Sequence, residues 1–424
     1  MRVLLAVNPG TDTIFQYMVP LMWALRTAGH EVHVSGPQAK TEAITQAGLT
    51  AVPAGRPFDP SRVNNYKIEI VKSMEEGILP PYDAFDDPEK ATWEYLRPGM
   101  ETAVKGMHRM ISVPIISDVV EYARYWKPDL VLWDPLTFAG SIAAKACGAA
   151  HARLLFGIDI FGGVRQLFLR LKAEQPEEDR SDPLAHWLGS YARKYGGEFS
   201  EDMVTGHFTI DQFPTSLQTE AEGLHYTRMQ YIPYGGAAVL PDWLREPPKR
   251  PRIAFTLGMT SATQLGGYRV DVQEILDNLA DLDIEIVATI AESEQHRITR
   301  IPDNTRIVSF VPWHALVPTC TAVIHHAGAA TLGTAARYPQ PHLALHDHFD
   351  QPILAEKLAD YGAGIAIHNS EATGASVRQA VQKLLTQPRF RRRAADLTND
   401  ILAMPTPNQL VPELEELTTK YRNR

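Results

Sequence analysis

The chain has 424 residues, 44% hydrophobic and 21% charged, with a formal net charge of −9; that length exceeds one ordinary core, predicts two or three domains and carries no basic cluster of the kind that tracks nucleic acid. Its two cysteines, Cys147 and Cys320, exclude a disulfide framework and a cysteine metal site. The apolar run Met1 to Val7 is too short for a secretory leader, and no run approaches the roughly 18 apolar residues of a membrane span, so a cytoplasmic protein is expected.

In chain order, Arg2 to Ser35 reads as strand, turn, amphipathic helix and second strand, the opening of a parallel α/β unit. The stretch from about Arg56 to Arg109 is aromatic, acidic and poorly periodic, as binding loops often are. Tyr82, Phe85, Trp93 and Tyr95 there are candidate walls of an acceptor pocket, with helix packing as the equal alternative. Strand signals return at Leu130 to Trp133 and Ala152 to Phe156.

Tyr234-Gly235-Gly236, Pro241 and Pro247 to Pro251 form a linker by chemistry, since proline restricts the chain while glycine frees it. The expected division is therefore 1–235, a linker 236–251, a second domain 252–404 and a terminal segment 405–424 with a last helix from about Val411 to Tyr421. Strands at Ile253 to Met259, Ile284 to Ile290, Thr305 to Phe310 and Ala322 to Ile324 repeat the first half in architecture. The fold class predicted is α/β, two Rossmann-like domains with a cleft between them.

The strongest local signal is His325-His326-Ala327-Gly328-Ala329-Ala330-Thr331, with Asp350-Gln351 after the next apolar segment. An apolar strand enters two histidines and a block of small residues, and Leu332 to Ala336 winds on as a helix. The N–H groups of such a helix start carry partial positive charge and suit a diphosphate without any lysine or arginine. Of fifteen histidines, His342, His346 and His348 cluster, and they read as a solvated strand end rather than a metal site.

The segment Arg306 to Gly364 resembles the donor-binding region of family 1 glycosyltransferases of the GT-B fold, whose turn usually reads His-His-Gly-Gly-Ala-Gly-Thr. Ala327 and Ala330 replace two of those glycines, which is tolerated if neither position needs a positive φ. Val19 to Val32, Pro128 to Phe138, Gln175 to Ala185 and Phe310 to Cys320 are similar to the desosaminyltransferases of macrolide pathways.

The resemblance implies an inverting, metal-independent hexosyltransferase that moves a deoxysugar, an aminosugar among them, from a dTDP-sugar to a polyketide aglycone, macrolide or aromatic, through oxygen or carbon. No further cofactor is implied. His326 would donate to a diphosphate oxygen, with the N–H groups of Gly328, Ala329, Ala330 and Thr331 sharing the charge. Thr256, Gly258 and Ser261 would face the phosphate or sugar, and Asp350 and Gln351 would hold sugar hydroxyls. Phe310 or Trp313 would pack on the base, its edge read by the backbone of Val311; thymine over uracil follows from the subgroup alone.

At the acceptor end, the histidine that serves most of the family as base falls at Ile14, beside Phe15. Asp134 and Asp12 are the remaining candidates for proton removal. Asp134 has an alternative as a turn former before Pro135, and Asp12 as a turn or helix N-cap residue. Acceptor contacts are assigned to Ile14, Phe15, Tyr82 and Trp93. The subgroup also implies an activator protein resembling a cytochrome monooxygenase, for which Val164 to Leu171 is a candidate face with core packing as the alternative. A homodimer stays open. Two rivals remain: a catalytically silent nucleotide-sugar-binding subunit, suggested by Ile14, and a dinucleotide oxidoreductase, for which Asn8-Pro9-Gly10-Thr11 supplies no Gly-x-Gly-x-x-Gly fingerprint.

Overall fold

The structure is a computed structural model that describes residues 1–422 apart from Pro9, Thr11, residues 56–77 and Leu265, and only the backbone of Thr263 and Gln264. It contains two compact units. The first holds the described residues up to Gln230 other than Ile78, together with 405–422, and the second holds Ile78 and runs from Tyr231 to Met404.

The first unit is built on seven strands, β1 (Arg2–Ala6), β2 (Glu31–Pro37), β3 (Thr50–Ala54), β4 (Leu130–Trp133), β5 (Ala150–Leu154), β6 (Phe208–Asp211) and β7 (Tyr226–Arg228). Their order is β3-β2-β1-β4-β5-β6-β7, all parallel. Val3 to Ala6 and Leu130 to Trp133 are fully buried, as expected of central strands covered on both faces. The chain order reverses between β1 and β4, where Ala6 pairs with Trp133. The loops that follow these two strands therefore stand at a topological switch point, where open α/β sheets bind ligands.

Its helices include α1 (Asp12–Thr27), α2 (Trp93–Ala103), α3 (Arg109–Trp126), α4 (Ala139–Cys147) and α5 (Ile160–Ala173). The region expected to be irregular up to Arg109 is helical from Trp93 onward, joined to α3 through a π-helical turn at Val104–His108. Pro98, Gly99 and Pro114 lie inside these helices, and such residues blur a helical pattern in sequence although neighbours hold the backbone in place. Residues 56–77 of the same expectation lie outside the described residues.

The second unit has six parallel strands, β8 (Arg252–Thr256), β9 (Glu285–Thr289), β10 (Thr305–Val308), β11 (Ala322–His325), β12 (His342–His346) and β13 (Gly364–His368). They are ordered β10-β9-β8-β11-β12-β13, so the switch point lies between β8 and β11, where Thr256 pairs with His325. Three short or medium helices bear on the site: α6 (Thr260–Gln264), α7 (Ala329–Ala335) and α8 (Gln351–Tyr361).

The expected free linker at 236–251 belongs to the second unit. Leu244 is buried in that unit's core with Ala254, Val287 and Val323, and Trp243 lies under the guanidinium groups of Arg252 and Arg306. Proline and glycine content marked an irregular path but said nothing of what its two apolar side chains would cover.

The terminal helix α9 (Pro407–Tyr421) starts before the predicted Val411 because proline is well placed in a first turn and Thr406 caps it. Thr406 Oγ1 accepts from the Gln409 N–H at 3.3 Å, and Gln409 Oε1 accepts from the Thr406 N–H at 2.8 Å. The helix packs on the first unit: Glu415 meets His30 Nε2 at 3.0 Å, Arg422 pairs with Asp129, and Tyr421 stacks on His207 at 4.8 Å. No described helix is long and apolar enough to cross a membrane.

Candidate active site

In the second unit, the ends of β8, β11, β12 and β13 open onto a recess with about 330 Å³ of empty space, open solvent included. Ser261, Tyr268, His326, Asp347, His348 and Gln351 line it, with Arg269 and Asn369 among the remaining residues. Three of the predicted donor residues, Ser261, His326 and Gln351, are thus brought together.

His326 is held from two sides. Gly258, at φ +74°, passes so close that a Cβ there would lie 2.5 Å from Cε1 of His326, and a Cβ on Gly328 would collide with the same ring at Nε2. Burial, and the neighbouring His348, push the His326 imidazole down to about 3, so it is neutral and offers one N–H. Nδ1 makes no hydrogen bond with the described residues. Gly258 is fixed in turn: its N–H donates to Thr256 Oγ1 at 3.2 Å, and its carbonyl accepts from the Tyr268 hydroxyl at 3.2 Å. Thr256 is therefore a turn former, buried beneath the recess, rather than a wall of it.

Gly328 is the N-cap of α7, whose first residues are Ala329, Ala330 and Thr331. The first N–H groups of a helix have no partner within it. With Arg269 paired to Asp347 at 3.3 Å, the turn offers an anion the single His326 N–H and these N–H groups, although Gly328 to Thr331 are not among the residues that line the recess.

The two alanines differ. Ala330 is helical, whereas Ala327 has φ +58°, a left-handed conformation that favours glycine. The condition that neither position needs a positive φ is therefore not met at Ala327, which is fully buried and donates its N–H to His325 Nδ1 at 3.0 Å.

Asp350 is the buried N-cap residue of α8 and lies outside the recess lining, while Gln351 faces it. Gln351 Oε1 accepts from the Asp347 N–H at 3.3 Å, and its Nε2 lies 3.2 Å from His348 Nε2. His342, His346 and His348 are not a solvated strand end: all three are buried, and burial drives His346 down to about 4. Asp347, Arg269 and Asn369 were missed in the sequence; Asp347 and His348 lie so close to Asp350 that their position at the end of β12 was a usable signal. Phe310 is 54% exposed, whereas Val311 and Trp313 pack into the second unit's core.

In the first unit, the candidates cluster after β1 and β4. Asp134 is fully buried: Oδ1 accepts from the Leu136 N–H at 2.9 Å and Oδ2 from the Thr137 hydroxyl at 2.5 Å. Burial pushes its carboxyl up to about 6 against these hydrogen bonds. That is the geometry of the turn former, not of a group open to a substrate. Asp12 begins α1 and is exposed, with Oδ1 at 2.6 Å from Nζ of the buried Lys40, a partner that sequence spacing does not reveal. Ile14 follows on the same turn, partly buried, and Phe15 points into the core.

Tyr82 and Trp93 are packing residues rather than pocket walls. Tyr82 is buried against His108 and Phe161, and Trp93 against Phe168. Tyr95 is tied to Asp83 at 2.7 and 2.8 Å. Along α5, Val164, Arg165 and Phe168 are buried and Arg165 is bidentate to Asp182 at 2.9 and 3.0 Å, whereas Leu167, Leu169 and Leu171 of the stretch considered for an activator are half-buried.

Among the described residues, His151, Asp202 and His207 have metal-ligand types within reach of one another. Their protons point the other way. Trp133 Nε1–H donates to His151 Nδ1 at 3.4 Å and the His151 backbone N–H donates to His207 Nδ1 at 3.1 Å, so each ring accepts at Nδ1 and turns its Nε2–H toward Asp202, at 3.0 and 3.6 Å. These contacts depress the Asp202 carboxyl far below its usual range despite its burial, the histidine contact leading.

Two parallel sheets ordered about switch points, with an imidazole and a helix start at the second, are what the glycosyltransferases of the GT-B type would require. The whole chain aligns with such enzymes: the 10-deoxymethynolide desosaminyltransferase of Streptomyces venezuelae is 42% identical over 100% of this chain and 98% of its own. The aclacinomycin-T 2-deoxy-L-fucose transferase of Streptomyces galilaeus is 41% identical over 95% and 93% of the two chains. The crystal structure of the glycosyltransferase VinC in complex with dTDP superposes with a TM-score of 0.87 at 37% identity, covering 99% of this chain and 100% of that one. Residues 23–258 and 273–417 match the N- and C-terminal domains of the erythromycin biosynthesis protein CIII-like family, and the chain belongs to that family. Its relatives are named transferases, which leaves the auxiliary-subunit reading without support.

Proposed function

We propose that this glycosyltransferase moves a deoxysugar from a dTDP-sugar to a polyketide aglycone with inversion, and without a metal ion. The observation that carries the reading is His326, clamped between Gly258 and Gly328 at the switch point of the second sheet with Nδ1 unpaired beside the recess. The likeness to a structure titled as a dTDP complex supports thymidine diphosphate as the leaving group.

In this reading an acceptor oxygen bonds to the anomeric carbon as the bond from that carbon to the β-phosphate oxygen breaks. The electron pair leaves with dTDP, whose growing charge meets the His326 N–H and the first N–H groups of α7. The acceptor's proton passes to Asp12, the exposed carboxylate on the turn that carries Ile14, while Asp134 holds the neighbouring loop from within. Metal independence rests on the family likeness alone. An aminosugar donor and an activator protein rest on likeness to the desosaminyltransferase alone.

Calorimetric titration of the full chain with dTDP, UDP and NAD tests the donor half. Selective heat with dTDP is expected, followed by transfer on presenting polyketide aglycones. Binding of NAD and not of dTDP would return the dinucleotide reading.

A further inference from the structure

We infer that His325, backed by His342, is the positioning residue of the donor turn. This rests on the reading that the turn binds dTDP. His325 closes β11 and is fully buried, and it is absent from the recess lining, so it acts through other groups. Its Nδ1 accepts the Ala327 N–H at 3.0 Å, which places its own proton on Nε2. Nε2 lies 2.9 Å from His342 Nδ1, so His342 accepts there and carries its proton on its own Nε2. The result is a directed chain of hydrogen bonds from the backbone of Ala327 through His325 to the neighbouring strand.

The register makes this possible. Val323 pairs with His342 across β11 and β12, so His325 and His342 share a face of the sheet. A second proton on His325 would set an N–H against the Ala327 N–H, and burial in any case holds both rings well below the usual histidine range, His342 at about 3. The link is therefore neutral and permanent through ordinary pH.

What it holds is a residue out of place. Ala327, at φ +58°, lacks the freedom of glycine and precedes Gly328, which must pass close beside the His326 ring. Anchoring the Ala327 N–H keeps the backbone in the left-handed turn between the His326 ring, which lines the recess, and Gly328, which clamps that ring and begins α7. His342 Nε2 finds no partner among the described residues, so this end of the chain carries an uncompensated buried polar group that packing alone gives no reason to keep.

The test compares His325→Leu, close in volume and without an acceptor, with His325→Asn, smaller and polar but with Oδ1 available where Nδ1 stood. The probe is dTDP, titrated into the full chain whose folding is checked by circular dichroism. The expected result is a loss of at least tenfold in dTDP affinity for Leu, near wild-type affinity for Asn, and partial recovery in His325→Leu/Ala327→Gly, where the turn no longer needs an anchor. A purely packing role predicts the reverse order, with Leu tolerated and Asn impaired, and that order overturns the inference. If His325→Leu does not fold, the double variant and Asn decide: both near wild type support it, and both weakened tenfold overturn it. A wild-type chain that does not bind dTDP sinks the donor reading and this inference together, whereas wild-type binding without Asn rescue removes the inference alone.

Discussion

A Cβ on Gly258 would lie 2.5 Å from Cε1 and 2.6 Å from Nε2 of His326, so the imidazole occupies the volume that any side chain at 258 would need. Gly258→Ala should therefore displace the ring and strain a φ of +74°, weakening dTDP binding about tenfold, or ~1.4 kcal/mol. His326→Ala should keep the fold and lower the transfer rate on the order of a hundredfold, the scale for one preorganised donor. Calorimetry and initial rates check both. Unchanged rates in both variants would remove the ring from the mechanism.

The two alanines of the donor turn should respond oppositely to glycine. Left-handed geometry costs a non-glycine residue about 1–2 kcal/mol, whereas glycine loses about 0.5–1 kcal/mol more on folding, so Ala327→Gly should be stabilising by up to about 1 kcal/mol. Ala330→Gly, in the first turn of α7, should destabilise by up to about 1 kcal/mol. Urea melts of both variants measure the difference, and equal effects would contradict the backbone geometry.

Asp12→Asn is expected to reduce kcat by about a hundredfold or more while leaving dTDP affinity unchanged, because the carboxylate lies on the first unit and the donor recess on the second. A matching fall in dTDP affinity would count against a role in proton removal.

Asp134 links pH to stability. Burial holds its folded carboxyl at about 6 against an ordinary 3.8, so between these values the folded state binds more protons than the unfolded one. Stability from the neutral acid is fully present below 3.8 and is lost as pH rises through about 6, a difference of roughly 3 kcal/mol for a shift of this size. Asp134→Asn, which keeps an acceptor for the Leu136 N–H, should raise Tm at pH 8 and have little effect near pH 4. An equal gain at both pH values would rule out titration of this group as the cause.

The donor turn was legible because its signal is local. An apolar strand, two histidines and a block of small residues can fold as strand, turn and helix start with little help from elsewhere, and that is what residues 322–335 do. The acceptor side was less legible. Tyr82, Trp93 and Phe15 have the composition of a pocket wall, but whether an aromatic ring faces a cavity or a neighbouring helix depends on which helix packs there.

By itself the sequence determined the parallel α/β class, the repetition of strand-turn-helix units and the placing of Ser261, His326 and Gln351 in the segments that follow strands, since hydrophobic period and small-residue turns act over a few neighbouring residues. Only the tertiary structure decided that Lys40 would meet Asp12, that Asp134 would be sealed while Asp12 stayed open, and that His325 would find His342. Those outcomes depend on strand register and on burial, which are set by pairing between segments distant in the chain. Ala327 lies between the two levels: its identity is written in the sequence, but the left-handed conformation it must hold comes from an acceptor that the neighbouring strand keeps in place.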